Sequence, residues 1–163
     1  MAYEVIDNFL SKADHDVLYQ VMLSHDFSWF YNDSILIEDN PSKLDLQFGH
    51  NFYSDGTPNS EYFPLLAPLW SALQPRALVR VKANLNPITA EHYYGGWHND
   101  FEFDCTTAVY YINTNNGYTE FKETGERVES VANRLVKFDS NMMHSGVSST
   151  DTKARVLLNI NYL

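Results

Sequence analysis

Two histidines, one aspartate and one arginine are the residues through which this sequence can do chemistry. In Tyr93-Tyr94-Gly95-Gly96-Trp97-His98-Asn99-Asp100 a histidine is followed two residues later by an acid, which happens nowhere else in the chain. In an extended stretch, residues two apart project to the same face, so one imidazole and one carboxylate would point into the same space. That is two-thirds of a metal site. The only histidine downstream of Asp100 is His144, in Asp139-Ser140-Asn141-Met142-Met143-His144-Ser145-Gly146, just past a predicted strand and where a facing strand can deliver it. Two imidazoles and a carboxylate on one face of a metal leave the other positions open and suit Fe(II). After His144 the only arginine is Arg155. Alternation puts it with Leu157, Asn159 and Asn161 on one face of the last strand, opposite Val156, Leu158 and Ile160. A guanidinium buried on such a face needs an anion, and its planar fork suits a carboxylate; the plainer alternative is a salt bridge to one of the many acids.

These residues need elements to hold them. Ser11 is placed as the N-cap of a helix from about Lys12 to Ser24, with Val17, Leu18, Val21 and Met22 on one face. Phe27 to Tyr31 and Gln47 to Tyr53 are short and aromatic-rich, as strands are, with a break at Asn40-Pro41-Ser42 between them. Phe63, Leu66, Leu69, Trp70 and Leu73 predict a second helix over Glu61 to Leu73, with Pro64 near its first turn. From Ala77 the period becomes two: Val79, Val81, Ala83 and Leu85 alternate with Arg80, Lys82, Asn84 and Asn86. Thr106 to Asn113 is another strand, and Asn115-Asn116-Gly117 reads as its hairpin turn into Tyr118 to Phe121. Gly125 marks a second turn before Val128 to Val131, and Asn133 to Asp139 and Ala154 to Tyr162 complete the strands. Trp97 is expected to pack on the face opposite His98, Tyr93 and Tyr94 to line a mouth, and His15, His25, His50 and His92 to lie on a helix surface or in loops.

The chain has 163 residues, 44% of them hydrophobic and 15% aromatic, enough for one domain, 1–163, with a real core. Its net charge of -10 repels phosphate backbones and anionic membrane surfaces. A single cysteine, Cys105, rules out an internal disulfide and points to a reducing compartment. The start has no signal-peptide pattern and no apolar run spans a membrane, so a soluble cytoplasmic protein is expected.

The ordered set His98-x-Asp100, Tyr110-Tyr111-Ile112-Asn113, Gly117-x-Thr119-x-Phe121, Asn133-Arg134-Leu135-Val136-x-Phe138, His144 and Arg155 resembles the Fe(II)- and 2-oxoglutarate-dependent dioxygenases, in particular the prolyl 4-hydroxylase-like branch. The motifs cover Ala77 to Leu163; the N-terminal half is similar in layout but has no diagnostic motif. The resemblance implies a mainly β double-stranded β-helix (jelly roll) with N-terminal helices packed on the sheet, and Fe(II) held by His98, Asp100 and His144. It implies 2-oxoglutarate as cosubstrate and O2 as oxidant, with Arg155 on the distal carboxylate and Tyr111 as a hydrogen-bonding neighbour; a packed core tyrosine is the alternative for Tyr111. Thr119 and Asn159 match positions that often touch the cosubstrate. Asn84 stands where many members place a cosubstrate-contacting tyrosine, a departure that leaves its role open. The implied activity is hydroxylation of an aliphatic C–H bond, in a prolyl residue of a protein or peptide or in a small molecule, coupled to oxidation of 2-oxoglutarate to succinate and CO2. Small members of this kind are often phage-encoded, which would set the chain in a host cytoplasm. Competing readings are a nucleic-acid demethylase of the same superfamily, against which the acidity counts, a non-catalytic jelly-roll module, which would have lost a ligand, and a cupin-like metal protein, against which Arg155 counts.

Overall fold

The computed structural model describes residues 3–36 and 42–163. In chain order the elements are β1 (Tyr3–Ile6), α1 (Lys12–Met22), β2 (Phe30–Asn32), β3 (Gln47–Ser54), β4 (Thr57–Pro58), α2 (Ala67–Leu73), β5 (Leu78–Pro87), β6 (Thr106–Tyr111), β7 (Tyr118–Phe121), β8 (Arg127–Glu129), β9 (Leu135–Asp139), β10 (His144–Val147) and β11 (Ala154–Tyr162). Asn40 and Pro41, at the expected chain break, lie outside the described residues.

The alternation of β11 and of β5 from Arg80 onward decides the layering. They pair antiparallel at the centre of an eight-stranded sheet of order β1-β9-β6-β11-β5-β3-β2, with β4 attached to β3. Val81 and Ala83 of β5 and Val156, Leu158 and Ile160 of β11 face a core built with Leu18 and Met22 of α1 and Leu69 of α2. Each valine, leucine, isoleucine or methionine among them contributes about 1.5–3 kcal/mol on burial, which fixes the register, because a slip of one residue would turn the apolar set outward. The opposite face carries Val109, Tyr111, Val136, Phe138 and Leu157, which pack against Phe121 and Val128 of a second, three-stranded sheet of order β10-β7-β8. Two antiparallel sheets face to face, with helices on the outside of the larger, make the jelly roll.

Several local expectations change. The Ser11 cap holds, with the Asp14 amide donating to its hydroxyl at 3.2 Å, and α1 ends at Met22. The second helix is shorter: Phe63–Leu66, with Pro64 in it, forms a 3-10 turn and only Ala67–Leu73 is α-helical. The aromatic stretch from Phe27 becomes a strand only at Phe30, because Phe27 is spent in the core. The hairpin at Asn115-Asn116-Gly117 is overturned. β6 pairs with β11 and β9, while β7 pairs with β10 and β8, so this turn carries the chain from one sheet to the other. The turn at Gly125 does close a hairpin, β7 to β8, with φ +68 at the glycine. His15 and His50, expected at the surface, are 8% and 6% exposed. His15 Nδ1 lies 2.7 Å from the Tyr110 hydroxyl, and His50 bridges the Ser28 carbonyl and the Ser60 hydroxyl.

Candidate metal centre

His144 opens β10, and an isolated antiparallel bridge pairs it with His98; with a second isolated bridge, Tyr94 to Val147, it lays the segment before Asp100 alongside β10. The His98 amide donates to the His144 carbonyl at 3.0 Å and the His144 amide to the His98 carbonyl at 2.8 Å. This reciprocal pair brings the two rings to 4.5 Å between centroids. Asp100 follows the bridge, its amide on the Ser140 carbonyl at 3.0 Å. One ligating atom from each of His98, Asp100 and His144 lies within 4.8 Å of the others.

The donor set suits a divalent metal. His98 Nδ1 is 3.2 Å from the Gly96 carbonyl and His144 Nδ1 is 2.9 Å from the Met142 carbonyl. Each contact requires a proton on Nδ1, which leaves Nε2 as a lone-pair donor. Burial pushes the His144 imidazole down from its ordinary pKa, with His98 adding to the effect and Asp100 opposing it, so the neutral, ligating form is favoured. Burial alone would raise the Asp100 carboxyl, but its electrostatic coupling to the His144 ring and to the Arg80 charge and hydrogen bonds from Asn161 and Thr107 outweigh it and keep it an anion. Its Oδ2 accepts from Thr107 at 2.8 Å, Asn161 at 3.0 Å and Asn159 at 3.2 Å. Oδ1 accepts from Arg80 at 3.1 Å and, at the limit of length, from Asn159 at 3.4 Å. The capacity left for a metal is therefore on Oδ1.

The cluster opens into a cavity of about 630 Å³ between the sheets, lined also by Arg155, Thr119, Asn84 and Asn159. Arg155 is 2% exposed, yet no carboxylate lies within ion-pair distance of it among the described residues. Nε donates to Ser130 at 2.9 Å and Nη2 to Thr119 at 3.1 Å. These hydroxyls take two of the five N–H donors of the guanidinium, Tyr111 is a further neighbour, and the side chain lines the cavity without an acid to pair with among the described residues. Thr119 Oγ1 accepts from both Arg155 and Tyr111, the latter at 2.8 Å, and its own proton remains to be donated. Tyr111 itself is fully buried behind this pair and does not line the cavity. Asn84 faces the cavity with a buried, unpartnered Oδ1. Asn159 is committed to Asp100 through Nδ2, while its Oδ1 has no partner. Trp97, expected to pack, is 39% exposed and lines the cavity instead. Tyr93 lines a smaller apolar annex of about 70 Å³ with Ile35, Leu44 and Ile88, and Tyr94 lines neither space but bonds the Tyr118 hydroxyl at 2.9 Å.

No protein-family model and no curated protein matches the sequence. Solved structures do match. A prolyl hydroxylase from Trichoplax adhaerens, in complex with a hypoxia inducible factor oxygen degradation domain peptide fragment, superposes with a TM-score of 0.70 at 15% identity, over 99% of this chain and 83% of that one. The chain has the fold of the 2-oxoglutarate oxygenases. A Pseudomonas putida prolyl-4-hydroxylase gives 0.67 at 16% identity, over 99% and 92% of the two chains. The epimerase SnoN, in complex with Fe3+, alpha ketoglutarate and nogalamycin RO, gives 0.65 at 14%, over 99% and 78%. At these identities the likeness is one of fold, and roles rest on the residues. Sequence pattern marks neither Thr107 nor Ser130 as a site residue, and for Asn161 it gives only its place on the Arg155 face of β11.

Proposed function

We propose that this chain, acting as one domain, is an Fe(II)- and 2-oxoglutarate-dependent oxygenase that hydroxylates an aliphatic C–H bond. One observation carries the reading: a buried arginine that has no acid partner among the described residues shares a cavity with a His-Asp-His cluster whose Nε2 atoms are free. His98 Nε2, Asp100 Oδ1 and His144 Nε2 would hold the iron. Iron bound there would supply the O2 chemistry, in which one oxygen atom enters the substrate C–H bond and the other enters succinate as 2-oxoglutarate loses CO2. Arg155 and the Thr119 hydroxyl would bind the distal carboxylate of 2-oxoglutarate, with Tyr111 orienting Thr119 from behind. Asn84 offers an acceptor beside them. Thr107, Asn161, Asn159 and Arg80 would keep the Asp100 carboxylate ionised and aimed. The substrate in this reading is a prolyl residue of a protein or peptide or a small molecule, the former supported by the peptide-bound Trichoplax prolyl hydroxylase of the same fold. Among the described residues no helix is long and apolar enough to cross a membrane.

Anaerobic addition of Fe(II) and 2-oxoglutarate should produce a weak visible metal-to-ligand absorption band. Asp100→Ala and His144→Ala should each abolish it. A wild-type protein without the band, or a band that survives both substitutions, rejects the assignment.

A further inference from the structure

Among the described residues, the cavity floor holds one cation that the proposed reaction does not use. β5 and β11 pair so that their cavity-facing side chains stand in rows: Arg80 beside Asn161, Lys82 beside Asn159, Asn84 beside Leu157 and Asn86 beside Arg155. The first row is closed on itself, since Arg80 donates to Asp100 Oδ1 at 3.1 Å and to Asn161 Oδ1 at 3.1 Å. In the last row Arg155 is answered by the distal carboxylate of 2-oxoglutarate. Lys82 has neither an ion pair nor a hydrogen bond among the described residues, although its side chain lines the cavity.

The lysine is held there by the fold. Its stem lies over Gly49 of β3, where a Cβ would come within 2.9 Å of Lys82 Cε. A larger residue at 49 would displace the side chain from this path. Burial, and next the neighbouring Arg80 charge, push the ammonium below its ordinary pKa, with Asp100 opposing. A half-buried cation set beside a second one is unfavourable until an anion joins it. Asn159, opposite Lys82 in the register, also has a buried, unpartnered Oδ1. A ligand group here meets a cation that needs an anion and an acceptor that needs a donor.

We infer that the substrate carries a carboxylate, which pairs with Lys82 in the row next to Asp100. The inference rests on the oxygenase reading. A free amino or imino acid, a peptide C-terminus or an acidic side chain beside the target can each supply the group, and these sources are separable.

The test is succinate formation with Fe(II), 2-oxoglutarate and O2, measured on probes that differ in one group. L-Proline is compared with L-prolinamide, glycylproline with its C-terminal amide, and an amidated proline-rich peptide with the same peptide carrying a glutamate beside the proline. Carboxylate-bearing members should raise succinate above the substrate-free rate while their neutral counterparts do not, and the responding pair identifies the source. Lys82→Met should weaken that response on the order of 10–100-fold, as for loss of a charge-assisted pair, while KM for 2-oxoglutarate and the visible band stay as in the wild type. Equal responses to acid and amide, a response to neutral probes alone, no response to any carboxylate probe, or an undiminished response in Lys82→Met overturns the inference. So does a raised KM for 2-oxoglutarate in the variant, which would give the lysine to the cosubstrate. A wild-type protein with no visible band and no substrate-free succinate fails at the oxygenase reading instead.

Discussion

Arg155 has more donors than the protein has acceptors for it, and that mismatch is the most informative feature at the scale of single residues. Burying a guanidinium without a counter-ion is costly, and burial duly pushes Arg155 below its ordinary pKa. The nearby Tyr111 ring, 5.5 Å from the guanidinium carbon, and two hydroxyls offset only part of that cost. An incoming carboxylate would take up the free fork. Arg155→Met should therefore reduce 2-oxoglutarate affinity on the order of 10–100-fold, while Fe(II) binding, which needs only the His-Asp-His set, is retained. Titration of the visible band against 2-oxoglutarate measures both, and an unchanged affinity rejects the role. The metal cluster and this arginine are legible in the sequence because each rests on a local signal: a unique His-x-Asp, one later histidine and one later arginine. Their supports are not. Thr107, Asn161 and Ser130 reach Asp100 and Arg155 across 7, 61 and 25 residues of chain, from segments that do not pair with the one they contact, and a polar side chain does not announce a partner that only the tertiary fold brings near.

Elements were legible wherever a single periodicity ran long enough. β11 and β5 from Arg80 onward keep their alternation, so their faces follow from it, whereas a register shift at the start of β5 puts Leu78 rather than Val79 against the core. Gly117 shows where a signal has two meanings. Glycine there reads as a hairpin turn, but the structure needs it for close approach, since a Cβ would come within 2.7 Å of Arg155 Cδ. His15 shows the opposite failure, a polar residue on α1 that is buried because its partner lies on β6. Its Nδ1–H donates to the Tyr110 hydroxyl, which donates on to Asn133 Oδ1 at 2.9 Å, and Asn133 in turn grips both backbone groups of Leu10. This chain of bonds docks α1 and its leading loop on the large sheet. Burial lowers the His15 pKa from its ordinary 6.5. Below about pH 6.5 the unfolded chain takes up a proton that the folded imidazole resists, so stability falls as pH drops through that value and on toward the folded pKa. His15→Asn, which keeps a donor near the Nδ1 position, should shrink the difference in melting temperature between pH 7.5 and pH 5.5 in metal-free protein. An equal difference in both proteins would show that His15 is not a source of the acid sensitivity.

At the scale of the molecule, the distribution of charge matters more than its sum. The net charge is -10, yet the space between the sheets gathers Arg80, Lys82 and Arg155, with Asp100 as the acid among its lining residues. An acidic exterior around a cationic cavity favours a small anion that can enter over a polyanion that must lie along the surface. Duplex binding would need several basic side chains on one face to release counterions, and the cavity cations are too recessed to follow a phosphate backbone. A fluorescently labelled DNA or RNA duplex should accordingly show no anisotropy change with this protein at low salt, the condition most favourable to such binding, and alkylated nucleotides should leave succinate formation at its substrate-free rate. Salt-sensitive duplex binding together with nucleotide-stimulated turnover would instead place the chain with the demethylating enzymes that share its fold.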